Sequence, residues 1–266
     1  MTDSASTMGG APAQIPAKPS LGVGNIIADS LGICLKRFAA VFVISLLPSA
    51  IGLFLYSQVI GVEAILGLAQ PQFNDTAAGV AYALAVLGSL VVYYITIALL
   101  VQLAYDAKLQ RPVRFGRYIL PTLTAIVPIV LTGIAVTLLV VFASLALLVP
   151  GLWVYAVFSV TVPAIVIERI GFRGMARSAS LTKEYRWPIA GLLLLVLLFT
   201  SGMSFAAQFF SSIAYDAGGL AGAIVFYLLV TTIATGLASL PLALIYARLR
   251  EIKEGISVDQ IASVFD

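Results

Sequence analysis

Residues 78–117 read AGVAYALAVLGSLVVYYITIALLVQLAYDAKLQRPVRFGR, and their reading decides the fold. No charged side chain occurs from 78 to 104. A helix needs about 20 apolar residues to cross the hydrocarbon core, so this run is long enough to span a membrane with some tilt. It ends in Lys108, Arg111, Arg114 and Arg117. Burying Lys or Arg at the bilayer centre costs roughly 2.5–3.5 kcal/mol, and the loops that keep them stay cytoplasmic. The stretch therefore predicts a transmembrane helix and its direction together.

The same pattern recurs on both sides. Apolar runs predict spans near 39–60, 78–104, 122–148, 151–167, 188–212 and 220–246. Lys18, Lys36 and Arg37 precede the first. Arg169, Arg173, Arg177, Lys183 and Arg186 lie between the fourth and fifth, and Arg248, Arg250 and Lys253 follow the sixth. With the four already named, these are all 15 cations, and every one falls on one side. The opposite loops hold only Glu63, Asp75 and Asp216. The expected fold class is all-α: a polytopic bundle of six transmembrane helices with both termini cytoplasmic. Residues 1–20 are expected to be a disordered tail, 21–250 the membrane domain and 251–266 a short cytoplasmic tail. In that tail Ser257-Val258-Asp259-Gln260 has capping-box spacing. Pro48, Pro128, Pro163 and Pro241 fall inside runs and are expected to bend them.

Composition agrees. The chain of 266 residues is 61% hydrophobic and 10% charged, against about 25% charged in a soluble domain. A net charge of +3 on so few, locally placed bases suits an anionic membrane surface and not nucleic acid. The single cysteine, Cys34, permits no intrachain disulfide. Histidine is absent, which removes the usual general base and the commonest metal ligand.

Three amphipathic segments precede the first, third and fifth spans. In the first, Val23, Ile27, Leu31, Leu35 and Phe38 form an apolar stripe at helical spacing, with Asn25, Asp29, Lys36 and Arg37 off it. The second carries Arg111, Arg114 and Arg117 beside Phe115, Tyr118 and Ile119. The third sets Arg173 and Arg177 against Met175, Ala179 and Thr182. Such helices are expected to lie in the interface as elbows, cations toward headgroups. The chain then reads as three parallel copies of elbow, span up and span down.

Candidate chemistry is sparse. Ser180 and Lys183 make a nominal Ser-Lys pair, but nothing nearby would bury that lysine. Asp106 and Asp216 belong to opposite membrane faces, about 30 Å apart, so they cannot share a proton. Gln102, Gln208, Tyr93, Tyr94 and Tyr227 read as helix glue or interface anchors, and Gly218 with Gly222 as a small-residue packing face. No catalytic residue, metal ligand or cofactor is expected.

The most distinctive stretch is 150–187. It carries Pro150-Gly151, Pro163, Glu168, Gly171, Arg177-Ser178, Leu181 and Trp187. Glu168 and Arg177 are expected to form an interfacial ion pair that fixes an elbow angle. Arg173, Arg177, Ser178, Thr182, Lys183 and Arg186 are candidate lipid-headgroup contacts, with the cations holding phosphate and the hydroxyls donating to it. At these residues, and at Tyr246–Gly255, the chain resembles the bacterial glycerophosphoryl diester phosphodiesterase membrane-domain family. The resemblance covers nearly the whole chain beyond the first 20 residues. It implies a bacterial plasma (inner) membrane location and a bundle of about six helices. It does not imply phosphodiesterase activity, because the family's name comes from members fused to a soluble catalytic barrel, which this sequence does not contain. The expected function is a non-enzymatic scaffold or accessory protein. Its expected partners are anionic membrane lipids and a membrane or cytoplasmic protein. The alternative is a transporter or lipid translocator.

Overall fold

A computed structural model describes residues 19–71 and 76–255, and helices are their only regular secondary structure. In order they are α1 (Val23–Lys36), α2 (Phe38–Ile60), α3 (Val62–Ile65), α4 (Thr76–Lys108), α5 (Phe115–Thr124), α6 (Ile126–Ala146), α7 (Leu148–Phe158), α8 (Thr161–Glu168), α9 (Gly174–Thr182) and α10 (Arg186–Glu254). A 3-10 turn, Gly171–Arg173, joins α8 to α9. Lys18, Asp75 and the capping-box spacing at Ser257 lie outside the described residues.

Five helical stretches are long and apolar enough to cross a membrane: Phe38–Ile60, Thr76–Lys108, Ile126–Ala146, Leu148–Glu168 and Arg186–Glu254. The expected fifth and sixth runs thus belong to one continuous helical stretch. Its 69 residues would extend about 100 Å if straight. They do not, because Gly219 breaks the helix at φ 63°, ψ −162°. Beyond it the chain folds back. The rings of Phe210 and Phe226 lie 6.5 Å apart, whereas sixteen residues of straight helix separate them by about 24 Å. α10 is therefore a hairpin of two arms.

The boundaries that differ from expectation have local causes. The run expected from 122 is broken at Ala125, so α6 begins at Ile126 and Pro128 falls in its first turn. Pro128 has no N–H for the carbonyl of Thr124, and the chain departs from helical geometry between them, at Ala125. Pro163 sits the same way, at the third position of α8. It has no N–H for the carbonyl of Ser159 and clashes with it, and the helix breaks at Ser159–Val160 between α7 and α8.

Burial is concentrated at one end of the bundle. Ile97–Tyr105 of α4, Val160–Val166 around α8 and Leu240–Leu249 of α10 supply much of the core. The rest of the long helices exposes Phe54, Leu84, Phe205, Phe209 and Ile213, an apolar surface compatible with a surrounding membrane. The four cation-bearing segments meet at the buried end. Arg37 Nη2 donates to the Arg111 carbonyl at 2.9 Å, and Lys108 pairs with Asp29 at 3.3 Å. Lys253 Nζ donates to the carbonyls of Ser180 and Lys183 at 3.0 and 2.9 Å, capping α9. Residues 19 and 20, assigned by sequence to the disordered tail, are tied down here. The carbonyl of Pro19 accepts from Tyr185 Oη at 2.8 Å, and that of Ser20 from Arg248 at 3.2 Å.

Candidate functional site

The 150–187 stretch folds around the break made by Pro163. In an unbroken helix the Val157 carbonyl would accept the N–H of Thr161. The break leaves it open, and α9 fills it. Ser178 Oγ donates to Val157 O at 2.8 Å and Thr182 Oγ1 at 3.1 Å. Both side chains are fully buried. This corrects the expectation that they donate to a headgroup: their hydroxyls stitch α9 to the broken helix. Gly174 permits the approach, since a Cβ there would lie 2.3 Å from Ile165. Removing both hydroxyls, as Ser178→Ala with Thr182→Val, is expected to cost about 1–3 kcal/mol for the orphaned carbonyl. The single Ser178→Ala costs less, because Thr182 remains. Reversible unfolding in detergent measures both, and retained lipid should not change.

Glu168 and Arg177 meet at the end of α8. Arg177 Nε lies 2.9 Å from each Glu168 oxygen. The pair belongs to a larger cluster that includes the end of α10. Arg177 Nη2 also donates to Glu254 Oε1. Arg250 Nε donates to Glu254 Oε2 at 2.9 Å and stands 3.9 Å from Glu168 Oε1. Tyr246 Oη donates to Glu168 Oε1 at 2.6 Å, and the Arg250 guanidinium lies 5.9 Å from the Tyr246 ring centre. The four charged side chains are 14–28% exposed, so they are only partly screened. Burial by itself would lower the pKa of Arg177; its hydrogen bonds to Glu254 and Glu168 outweigh that and raise it above the ordinary guanidinium value. The four charges sum to zero, two guanidiniums against two carboxylates. Chemically this is a clasp joining α8, α9 and the last turns of α10.

The remaining candidate contacts divide. Arg186 is half-buried, with its guanidinium 4.8 Å from the Trp153 ring centre and its Nε buried. Arg173 and Lys183 are exposed and stand apart from the clasp. The structure therefore does not gather Arg173, Arg177, Ser178, Thr182, Lys183 and Arg186 into one headgroup site. Sequence reasoning missed Tyr246, Arg250 and Glu254, although Arg250 and Glu254 stand at the i,i+4 spacing of a helical ion pair.

Other candidates also find partners. Asp106 accepts from Tyr118 Oη at 2.6 Å. Gln102 donates to Ala98 O, Tyr118 O and Thr122 Oγ1, fastening α5 to α4. Gly222 packs against the Ala214 carbonyl inside the α10 hairpin, while nothing lies near Gly218, so the two do not form one packing face. Among the described residues no group of His, Cys, Asp and Glu is arranged to hold a metal ion. No family model, curated protein or solved structure matches the chain.

Proposed function

We propose that this protein is a six-span, non-enzymatic scaffold or accessory protein of the bacterial plasma membrane that engages anionic lipid through its cationic face. The two arms of α10 serve as the fifth and sixth spans. α1, α5 and α9 are the three elbows, and both termini are cytoplasmic. The observation that carries the reading is the convergence of the cation-bearing segments at one end of an apolar bundle. An anionic leaflet attracts such a face by about 1 kcal/mol per basic residue. The apolar residues Leu31, Leu35, Phe115, Ile119 and Leu120, exposed on α1 and α5, suit helices that rest on the hydrocarbon boundary. The resemblance to the glycerophosphoryl diester phosphodiesterase membrane-domain family belongs to the same proposal.

Two measurements test it. With Cys34 replaced by Ser, a cysteine at Ala217 near the α10 bend should react with an impermeant maleimide on intact spheroplasts. A cysteine at Ser180 should react only after permeabilisation, and the reverse pattern overturns the topology. In nanodiscs, the unfolding temperature should rise with phosphatidylglycerol content, because a ligand of the folded state stabilises it. The rise should shrink in salt. No rise overturns lipid engagement.

A cavity of about 350 Å³ between α4, α6, α7 and α10 favours a second reading, a lipid translocator. Tyr93, Tyr94 and Tyr155 line it among apolar side chains. Lipid flip in proteoliposomes, abolished by filling this cavity, would establish that reading.

A further inference from the structure

In the third elbow the clasp consumes Arg177 and Trp153 engages Arg186, and the exposed Arg173 and Lys183 are not gathered into a site. The cations around the first elbow are. Between α1 and the end of α4 lies a cleft of about 630 Å³, lined by Asp29, Gly32, Lys36, Arg37, Lys108 and Gln110 among others. Lys36 is exposed. Arg37 gives one guanidinium nitrogen, Nη2, to the Arg111 carbonyl. Lys108 pairs with Asp29, yet both stay substantially exposed, at 34% and 51%. Three cations and one carboxylate leave the lining at +2.

The floor is bare. Nothing lies within 4 Å of where a Cβ on Gly32 would stand. On a helix at 100° per residue, Leu35 lies about 60° and Leu31 about 100° round from Gly32, on the flank away from Lys36. Leu31 and Leu35 are 47% and 76% exposed, and Phe38, the first residue of α2, is 47% exposed. A cationic cleft thus borders an apolar strip at the level where α1 meets the first span. Free phosphate would satisfy the cations and leave the strip unused, whereas a phospholipid satisfies both. A zwitterionic headgroup brings its own cation into a site that already has an excess of two.

We propose that the cleft formed by Lys36, Arg37, Lys108 and the bare Gly32 face holds the phosphate of one anionic phospholipid, whose acyl chains lie along Leu31, Leu35 and Phe38. This deepens the lipid-engaging reading above and rests on it. The site is a pocket with one occupant, and not a diffuse electrostatic face.

The test is native mass spectrometry of the full chain released from nanodiscs of phosphatidylglycerol and phosphatidylethanolamine, in phosphate-containing buffer before exchange. The wild type is expected to retain one phosphatidylglycerol. Lys36→Gln with Lys108→Gln should reduce retention by roughly tenfold or more, the scale of losing charge-assisted contacts. Gly32→Leu removes no charge and improves helix propensity, so it should fold normally and still lose the lipid by filling the cleft. Arg173→Gln with Lys183→Gln should retain it. If Gly32→Leu binds like the wild type while the lysine variant does not, attraction is diffuse: the cleft is overturned and the broader reading survives. If the wild type shows no preference for phosphatidylglycerol, both fall. An adduct of phosphate mass without lipid overturns the lipid assignment.

Discussion

Glu168→Ala is expected to destabilise the helical bundle by about 2–3 kcal/mol, among the largest losses from a single side chain in this protein. Breaking a buried ion pair by removing one partner costs about 3–5 kcal/mol, and the partial exposure of this cluster reduces that figure. Three groups depend on the Glu168 carboxylate: the Nε of Arg177, the hydroxyl of the fully buried Tyr246, and Arg250 at longer range. After the substitution Tyr246 has no acceptor there, and two guanidiniums face Glu254 alone. Glu168→Gln keeps an acceptor for Tyr246 and loses only the charge, so its cost should be smaller. Arg177→Gln should also be milder, because Arg250 still bridges the two carboxylates. Reversible unfolding of the purified protein in mixed micelles gives these values. A double variant, Glu168→Gln with Arg177→Gln, should cost less than the sum of its parts, since the partners answer to one another. Additive losses would mean that Glu168 and Arg177 do not stabilise the fold through one another. Phosphatidylglycerol retention should be unchanged throughout, which separates this cluster from the proposed lipid cleft.

The parts legible in the sequence were those set by local chemistry. The run 78–104 is helical, and long and apolar enough to cross a membrane, by virtue of its own side chains. Glu168 and Arg177 were legible as a pair because nine residues and one turn separate them. Their other partners were not. Glu254 is 77 residues from Arg177, and Tyr246 is 78 from Glu168. Only the packing of α10 against α8 and α9 brings them together. Ser178 and Thr182 were misread for a related reason. The sequence contains Pro163, and a proline releases backbone carbonyls. Which hydroxyls arrive to satisfy one is a tertiary matter. Without that knowledge, a serine and a threonine among arginines resemble a phosphate site.

The hairpin in α10 supports a second large expectation. Gly219→Ala should cost about 1–3 kcal/mol, because φ 63° with ψ −162° is a backbone region essentially reserved for glycine. Gly222→Ala should be at least as damaging, by a different route. A Cβ there would stand 2.7 Å from the carbonyl oxygen of Ala214 on the facing arm. That atom belongs to helical backbone and cannot rotate away, so the arms must part or the bend must shift. The edge-to-face cluster of Phe209, Phe210 and Phe226 would loosen with it. Gly218→Ala is the control. It precedes the break without a positive φ of its own, and nothing lies within 4 Å of where its Cβ would stand, so it should be neutral or slightly stabilising. Cysteines at Phe210 and Phe226, in a Cys34→Ser background, report the geometry directly. Bifunctional crosslinking between them should be efficient in the parent and in Gly218→Ala, and weak in Gly222→Ala. Equal crosslinking in all three would mean that Gly222 is not what brings the arms together. Loss in Gly218→Ala would place the turn elsewhere, so the outcome bears on the bend itself and on whether residues 186–254 are two antiparallel spans.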